Sequence, residues 1–196
     1  MLFDFIIVGQ GIAGTMLAWH LEKKGASILV IDKPNPFSAS NVAAGIINPI
    51  TGRRFVKTWK ADEIIPYAVQ AYTEAGKLFN SAFIHPVPVV KLFHTVKEQN
   101  DWSVRCASAD YAAYLINEQI IYLDKQKVKN NFGAFEIANT WKVEITSLLS
   151  AFRNKWAQEN LLIEDEIHFT DLNFYSDGVG IKNYRAAKVI FCEGAD

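Results

Sequence analysis

The chain has 196 residues, half of them hydrophobic and 21% charged, with 20 basic residues against 21 acidic ones. That is enough for one compact domain or one and a half small ones, and the apolar content with 13% aromatics excludes intrinsic disorder. The net charge of −1 argues against a nucleic-acid partner, and the two distant cysteines, Cys106 and Cys192, exclude a disulfide scaffold.

Phe3–Val8 reads as a buried strand; no basic region precedes it, so it is not a signal peptide. No apolar run in the chain approaches the about 18 residues of a membrane span, and the expected compartment is a reducing cytoplasm. Gly9-Gln10-Gly11-Ile12-Ala13-Gly14 follows, then a helix over residues 15–24, with Leu17, Ala18 and Leu21 at helical spacing and Gly25 closing it. Residues 27–32 form a second buried strand. Two continuously apolar strands flanking a helix predict parallel pairing, because both sheet faces are then covered.

Residues 33–58 contain Pro34, Pro36, Pro49, Gly45 and Gly52 and predict a long loop with a helix start near Ser40. A loop of that length in a compact domain is usually functional. A helix is predicted over 62–80, where Ile64, Ile65, Ala68, Ala71, Tyr72, Ala75 and Leu78 make an apolar stripe. Residues 83–96 read as an edge strand interrupted by Pro86 and Pro88. Beyond it come a polar helix over 97–107, a further helix over 111–118, a strand at 135–137, and a helix over 147–159 bearing Leu148, Leu149, Phe152 and Trp156. Residues 161–163, 167–174 and 179–181, with the turn Ser176-Asp177-Gly178, predict a β-meander. A last buried strand runs from Lys188 into Cys192-Glu193-Gly194-Ala195.

The glycine turn is informative because of its context. It follows a strand, opens a helix, and is succeeded by Asp32, 18 residues after Gly14 at the end of the next strand. Gly9 serves the tight turn, Gly11 the approach of a pyrophosphate, and Gly14 close helix–strand packing, with the amides of Ile12 and Ala13 at the positive helix end. Asp32 suits the ribose hydroxyls and disfavours a 2′-phosphate, although Lys33 beside it weakens that exclusion. The turn alone does not choose between FAD and NAD, since both carry the ADP moiety.

Downstream, Ser40-Asn41-Val42-Ala43-Ala44-Gly45-Ile46-Ile47 is a small-residue bend suited to backbone lying against a flat ring system. With this bend the chain resembles the FAD-dependent oxidoreductases of the D-amino-acid oxidase and glycine oxidase type; the flavin-dependent half of a tRNA wobble-uridine modification enzyme is a relative. The resemblance rests on three blocks in order: Gly9–Gly14 with Asp32, the Ser40–Ile47 bend, and residues 189–195. It implies an α/β protein, a Rossmann-like FAD-binding domain in two segments (1–82 and 141–196) with a partial antiparallel substrate domain (83–140) inserted. The resemblance further implies a cofactor-binding set of Gly9, Gly11, Ile12, Ala13, Gly14, Asp32, Lys33, Ser40, Ala43, Ala44, Gly45, Ile46, Phe169, Glu193 and Gly194, with Phe169 near the adenine.

Three departures stand out. Asp32 replaces the family's usual glutamate, Cys192-Glu193 replaces small residues, and such enzymes usually exceed three hundred residues, so a truncated chain with little turnover is expected. The implied activity is oxidation of an amine or amino acid to an imine by hydride transfer to FAD. Two alternatives stay open, the tRNA-modifying relative and a non-catalytic NAD- or ADP-binding module.

No residue of this chain is assigned a catalytic role. His20, His85, His94 and His168 lack metal spacing; His20 reads as a helix-surface or packed residue, and His85 could face a ligand. Cys106 and Cys192 read as buried small hydrophobes. Arg53-Arg54 reads more readily as a solvated pair than as an anion site. Trp59, Trp102, Trp141 and Trp156 are expected in the core.

Overall fold

The structure is a computed structural model that describes residues 2–52, 54–119, 127–129 and 131–194. Arg53 and Ala195 lie outside the described residues. The chain runs through β1 (Leu2–Val8), α1 (Ile12–Lys23), β2 (Ile28–Asp32) and the short α2 (Ala39–Val42). Short strands β3 (Ile46–Ile47), β4 (Ile50–Thr51) and β5 (Val56–Lys57) lead to α3 (Ala61–Phe79). Then come β6 (Ile84–Pro86), β7 (Val89–Leu92), α4 (Val96–Cys106), a 3₁₀ turn (Ala109–Tyr111), β8 (Leu115–Gln119), β9 (Ala134–Ile137) and β10 (Trp141–Val143). Last are α5 (Ile145–Gln158), β11 (Leu162–Glu164), a 3₁₀ turn (Phe169–Asp171), β12 (Leu172–Tyr175), β13 (Gly178–Ile181) and β14 (Tyr184–Phe191). These elements divide into two compact units, residues 1–43 with 145–196 and residues 44–144.

The first unit is an α/β layer built on a six-stranded sheet of order β11-β2-β1-β14-β13-β12. The first four strands are parallel, and β12 and β13 extend the sheet antiparallel from β14. Alternation along the strands sends Ile6, Val8, Leu29 and Ile31 to one face, where they pack with Ile167, Ile181 and Ala186. Helices α1 and α5 pack together in the same unit, with Trp19 against Phe152 at 5.5 Å and Phe152 against Trp156 at 5.2 Å between ring centres. Phe152 and Trp156 are wholly buried. Helix α1 ends in a Schellman motif: Gly25 N–H donates to Glu22 O and Ala26 N–H to Leu21 O, with Gly25 at φ +81°.

The second unit holds α3, α4, two three-stranded sheets (β3-β10-β6 and β7-β9-β8) and the β4–β5 ribbon. Its core joins Ile50, Phe55, Ala61, Ile65, Phe93, Trp102, Tyr114, Leu115 and Ile137. Phe55, Phe93 and Trp102 meet edge to face, with centres 5.3–5.9 Å apart, a geometry the ring quadrupole favours.

The parallel strand–helix–strand opening is as predicted, and so are the helices over 62–80, 97–107 and 147–159 within a few residues. Several expectations fail. Residues 111–118 are not a helix: Tyr111 ends a 3₁₀ turn and Leu115–Gln119 is a strand on β9, where pairing outweighs a weak helical pattern. Residues 83–96 do lie at sheet edges as expected, but as two strands in two sheets rather than one, divided at Val87-Pro88, because a proline lacks the donor a continuous ladder needs. Residues 161–163 do not open the meander but pair parallel with β2, and 169–171 form a 3₁₀ turn rather than strand. The 33–58 stretch is less loop-like than predicted, carrying α2 and three short strands. Trp59 is 76% exposed instead of buried, while Trp102 and Trp156 are at 0%. Cys106 and Cys192 are half-buried rather than buried.

Candidate functional site

Strand β1 delivers the chain to the C-terminal edge of the parallel sheet between β2 and β14. Gly9 N–H donates to Ile31 O at 2.8 Å and Cys192 N–H to Val8 O at 2.7 Å, so the turn is fastened to both neighbours. Gly9 adopts φ +97°, and a Cβ there would lie 2.6 Å from the Cys192 carbonyl oxygen. A Cβ on Gly14 would stand 1.9 Å from the Gly9 carbonyl oxygen, so only glycine lets α1 sit so close upon the turn. Gly11 is the helix N-cap and offers no side-chain cap; Ser40 of α2 supplies one from outside, its Oγ accepting the Ile12 N–H at 3.0 Å. The amides of Ala13 and Gly14 have no carbonyl within the helix to bond. No acidic residue occupies the first turn, leaving its partial positive charge unneutralised. This is the chemistry of an anion cradle.

Asp32 closes β2. Its Oδ1 accepts the Gln10 backbone N–H at 2.8 Å, and its Oδ2 accepts from Arg153 Nη1 at 2.8 Å. Arg153 Nη1 also reaches Gln10 Oε1 at 2.7 Å, and its Nη2 reaches Glu164 Oε1 at 2.6 Å. Burial works against the guanidinium charge, but the bonds to Glu164 and Asp32 outweigh it and hold Arg153 above its ordinary value. Sequence reasoning missed Gln10 and Arg153. Gln10 occupies a variable place in the glycine pattern, and Arg153 is 121 residues from Asp32, with no local signal linking them.

The structure places the remaining expected residues as follows. Ser40 is brought to Gly11 and Ile12 at the head of α1. Ala43 follows α2 in extended conformation and is exposed, as is Ala44. In the second unit, Gly45 has φ +71°, and a Cβ on it would lie 2.1 Å from Val143 O, so β10 demands that glycine; Ile46 is 47% exposed. Glu193 and Gly194 follow β14, and Glu193 N comes within 3.0 Å of where a Gly9 Cβ would stand. Lys33 is tied to Glu166 at 2.7 Å. Phe169, 76% exposed, lays its ring on Phe191 at 6.3 Å. Gly9 to Gly14, Asp32, Ser40 and Glu193 thus converge at one sheet edge, flanking the strand from which neighbours depart to either side, where open α/β sheets take their ligands.

Elsewhere the chemistry is quieter. Among the described residues, no three His, Cys, Asp or Glu side chains group to hold a metal, and no helix is long and apolar enough to cross a membrane. Burial pushes the thiols of Cys106 and Cys192 up, away from an activated thiolate. His20 meets the Met16 carbonyl at 2.7 Å, and exposed His85 pairs across β6 with Lys142 of β10.

The residues present in the first unit fit the ADP portion of FAD: an anion cradle at the head of α1 and an acid at the second strand end. Comparison with known proteins agrees. Among solved structures, glycine oxidase from Geobacillus kaustophilus superposes with a TM-score of 0.72 at 19% identity, covering 99% of this chain and 56% of that one. NikD, described as an unusual amino acid oxidase of nikkomycin biosynthesis, gives 0.69 at 15% identity, over 98% and 51%. Such identities speak for the fold alone, and the chain spans about half the length of these solved relatives. An uncharacterized oxidoreductase, YurR of Bacillus subtilis (strain 168), is 46% identical over 56 residues, 29% of this chain and 15% of that protein. The model of the DAO family, FAD dependent oxidoreductase, matches residues 4–196. Nearly the whole chain is matched, and the protein belongs to this family of FAD-dependent oxidoreductases.

Proposed function

We propose that the chain supplies the FAD-binding part of an oxidoreductase that converts a small amine or amino acid to its imine. The observation carrying this reading is the Gly9–Gly14 turn, whose Ala13 and Gly14 amides lack a partner within the helix, whose first turn bears no acid, and which lies beside Asp32 at the same sheet edge. When bound, FAD supplies the hydride acceptor for a C–H bond beside the amine nitrogen. The chain's own residues bind and orient. Ala13 and Gly14 offer the diphosphate their amides on the α1 dipole and Gly11 its close approach, while Ile12 gives its amide to Ser40, which braces the turn. Asp32 accepts the ribose hydroxyls; Ala43, Ala44, Gly45 and Ile46 form the bend for the ring system; Glu193 and Gly194 flank the turn from β14. Lys33 and Phe169 complete the proposed set at the adenosine end. In this reading residues 1–82 and 141–196 serve the cofactor and 83–140 begin the substrate domain, in a cytoplasmic enzyme whose partner is a small molecule.

Calorimetric titration of FAD, and separately of NAD, into the purified chain tests the reading. Saturable binding of FAD and none of comparable affinity with NAD is expected. Binding of NAD without FAD would replace the reading with a non-catalytic nucleotide-binding module. Because the chain spans about half the length of its solved relatives, cofactor binding is the quantity to measure, and little turnover by this chain alone is expected.

A further inference from the structure

Arg153 stands where three separate stretches of the first unit meet. Its fork holds Asp32 at the end of β2, Gln10 in the glycine turn and Glu164 at the end of β11, at 2.6–2.8 Å. Gln10 closes the circuit. Its backbone N–H donates to Asp32 Oδ1, and its Nε2 donates at 2.9 Å to the carbonyl of Leu149, one turn before Arg153 on α5. The Asp32 side chain is 17% exposed and that of Arg153 23%. Both are therefore partly accessible while bonded to their partners.

The lone pairs of the Asp32 carboxylate can be counted. An ionised carboxylate offers about four acceptor sites, two on each oxygen. Gln10 occupies one on Oδ1 and Arg153 one on Oδ2. Among the described residues one site remains on each oxygen, matching in number the two adjacent hydroxyls of a ribose. A short aspartate without these clamps would spend binding energy on fixing its rotamer when the nucleotide arrives; a prearranged one does not. Arginine suits the task because its planar fork serves three acceptors at once, which an ammonium point charge does with less order.

We propose that Arg153 is a positioning residue for the cofactor: through Gln10 and Asp32 it presets a two-site acceptor for the 2′- and 3′-hydroxyls of the adenosine ribose. This rests on the FAD reading above and goes beyond it, assigning a role in cofactor recognition to helix α5.

Calorimetric binding of ADP and of 2′,3′-dideoxy-ADP to the chain tests the assignment. The unmodified chain is expected to prefer ADP by at least about tenfold, the worth of a single hydrogen bond to a charged acceptor. In Arg153→Met that preference falls at least about fivefold, while dideoxy-ADP binds within about twofold of its original affinity. A purely structural arginine would weaken both nucleotides by the same factor, and an uninvolved one would weaken neither; either result overturns the proposal. Should the Met variant not fold, Arg153→Gln, which loses the charge and the fork, is read by the same criterion. An unmodified chain that binds neither ADP nor FAD overturns the cofactor reading as well. A chain that binds ADP and whose variants keep the full preference overturns only the role of Arg153.

Discussion

Gly14 shows how a single absent methyl group shapes the site. Alanine there gains helix propensity of about 1 kcal/mol, but its Cβ would lie 1.9 Å from the Gly9 carbonyl oxygen, a backbone atom that cannot swing aside. The steric term wins. Gly14→Ala is expected to lose about 1–3 kcal/mol in urea unfolding, as overpacked sites do, and to weaken FAD by at least about tenfold as α1 is pushed off the turn. The glycine pattern, Asp32 and their spacing were legible in the sequence because one strand–turn–helix–strand unit carries them all, although the atom that excludes a Cβ at Gly9, the Cys192 carbonyl oxygen, lies far along the chain. Ser40 was legible as part of a small-residue bend, but its position at the Ile12 amide was not, since that contact joins residues 28 apart. Trp59 was misread for a related reason: apolar character says that a side chain can be buried, not that a partner surface exists for it.

At the scale of elements, α5 does two jobs with two faces. Leu148, Leu149, Phe152 and Trp156 are buried, while Arg153 reaches Asp32 and Glu164. Phe152→Ala removes a ring packed between Trp19 and Trp156. It is expected to cost about 3–5 kcal/mol, read as a shift of the denaturant midpoint. The apolar face was predictable from its 3.6-residue period. Strands were harder. The β1–α1–β2 opening reads correctly because a helix between two apolar runs restricts the pairing. Residues 161–163 lack such a constraint, and whether so short a run joins a meander or the far edge of the parallel sheet depends on which strand has a free edge. Residues 115–119 and 84–92 turn on the same competition between neighbours.

For the whole molecule, hydrogen-bonded ionisable groups make stability depend on pH. Among the described residues, hydrogen bonds hold five carboxyls below their ordinary 3.8 (Asp) or 4.5 (Glu): Asp4 through Ser27, Asp62 through Lys57 and Tyr114, Glu144 through Lys142, Asp165 through Lys182, and Glu166 through Lys33. Each favours the folded state above the unfolded value, and the benefit is lost as pH falls through the lower folded one. Burial and the Asp62 carboxylate push Tyr114 up to about 12 from 10.0, so its contribution is present below 10.0 and lost as pH rises toward 12. Urea midpoints are therefore expected to fall at both extremes, with the tyrosinates of Tyr114 and of Tyr72, which burial also pushes up, appearing late in an absorbance titration; a late signal that Tyr114→Phe leaves unchanged would contradict the Tyr114–Asp62 pairing.

The amino-acid sequence by itself determined the local devices: the glycine turn opening α1, the Gly25 terminus, the apolar faces of the helices and the acid ending β2. Each follows from backbone sterics and side-chain periodicity over a handful of residues. Only the tertiary structure decided that β14 lies against β1, that Arg153 clamps Asp32, and which β-runs share a sheet. Those outcomes depend on surfaces that exist only once distant segments have packed, and a chain's local pattern carries no record of which of several compatible partners will win.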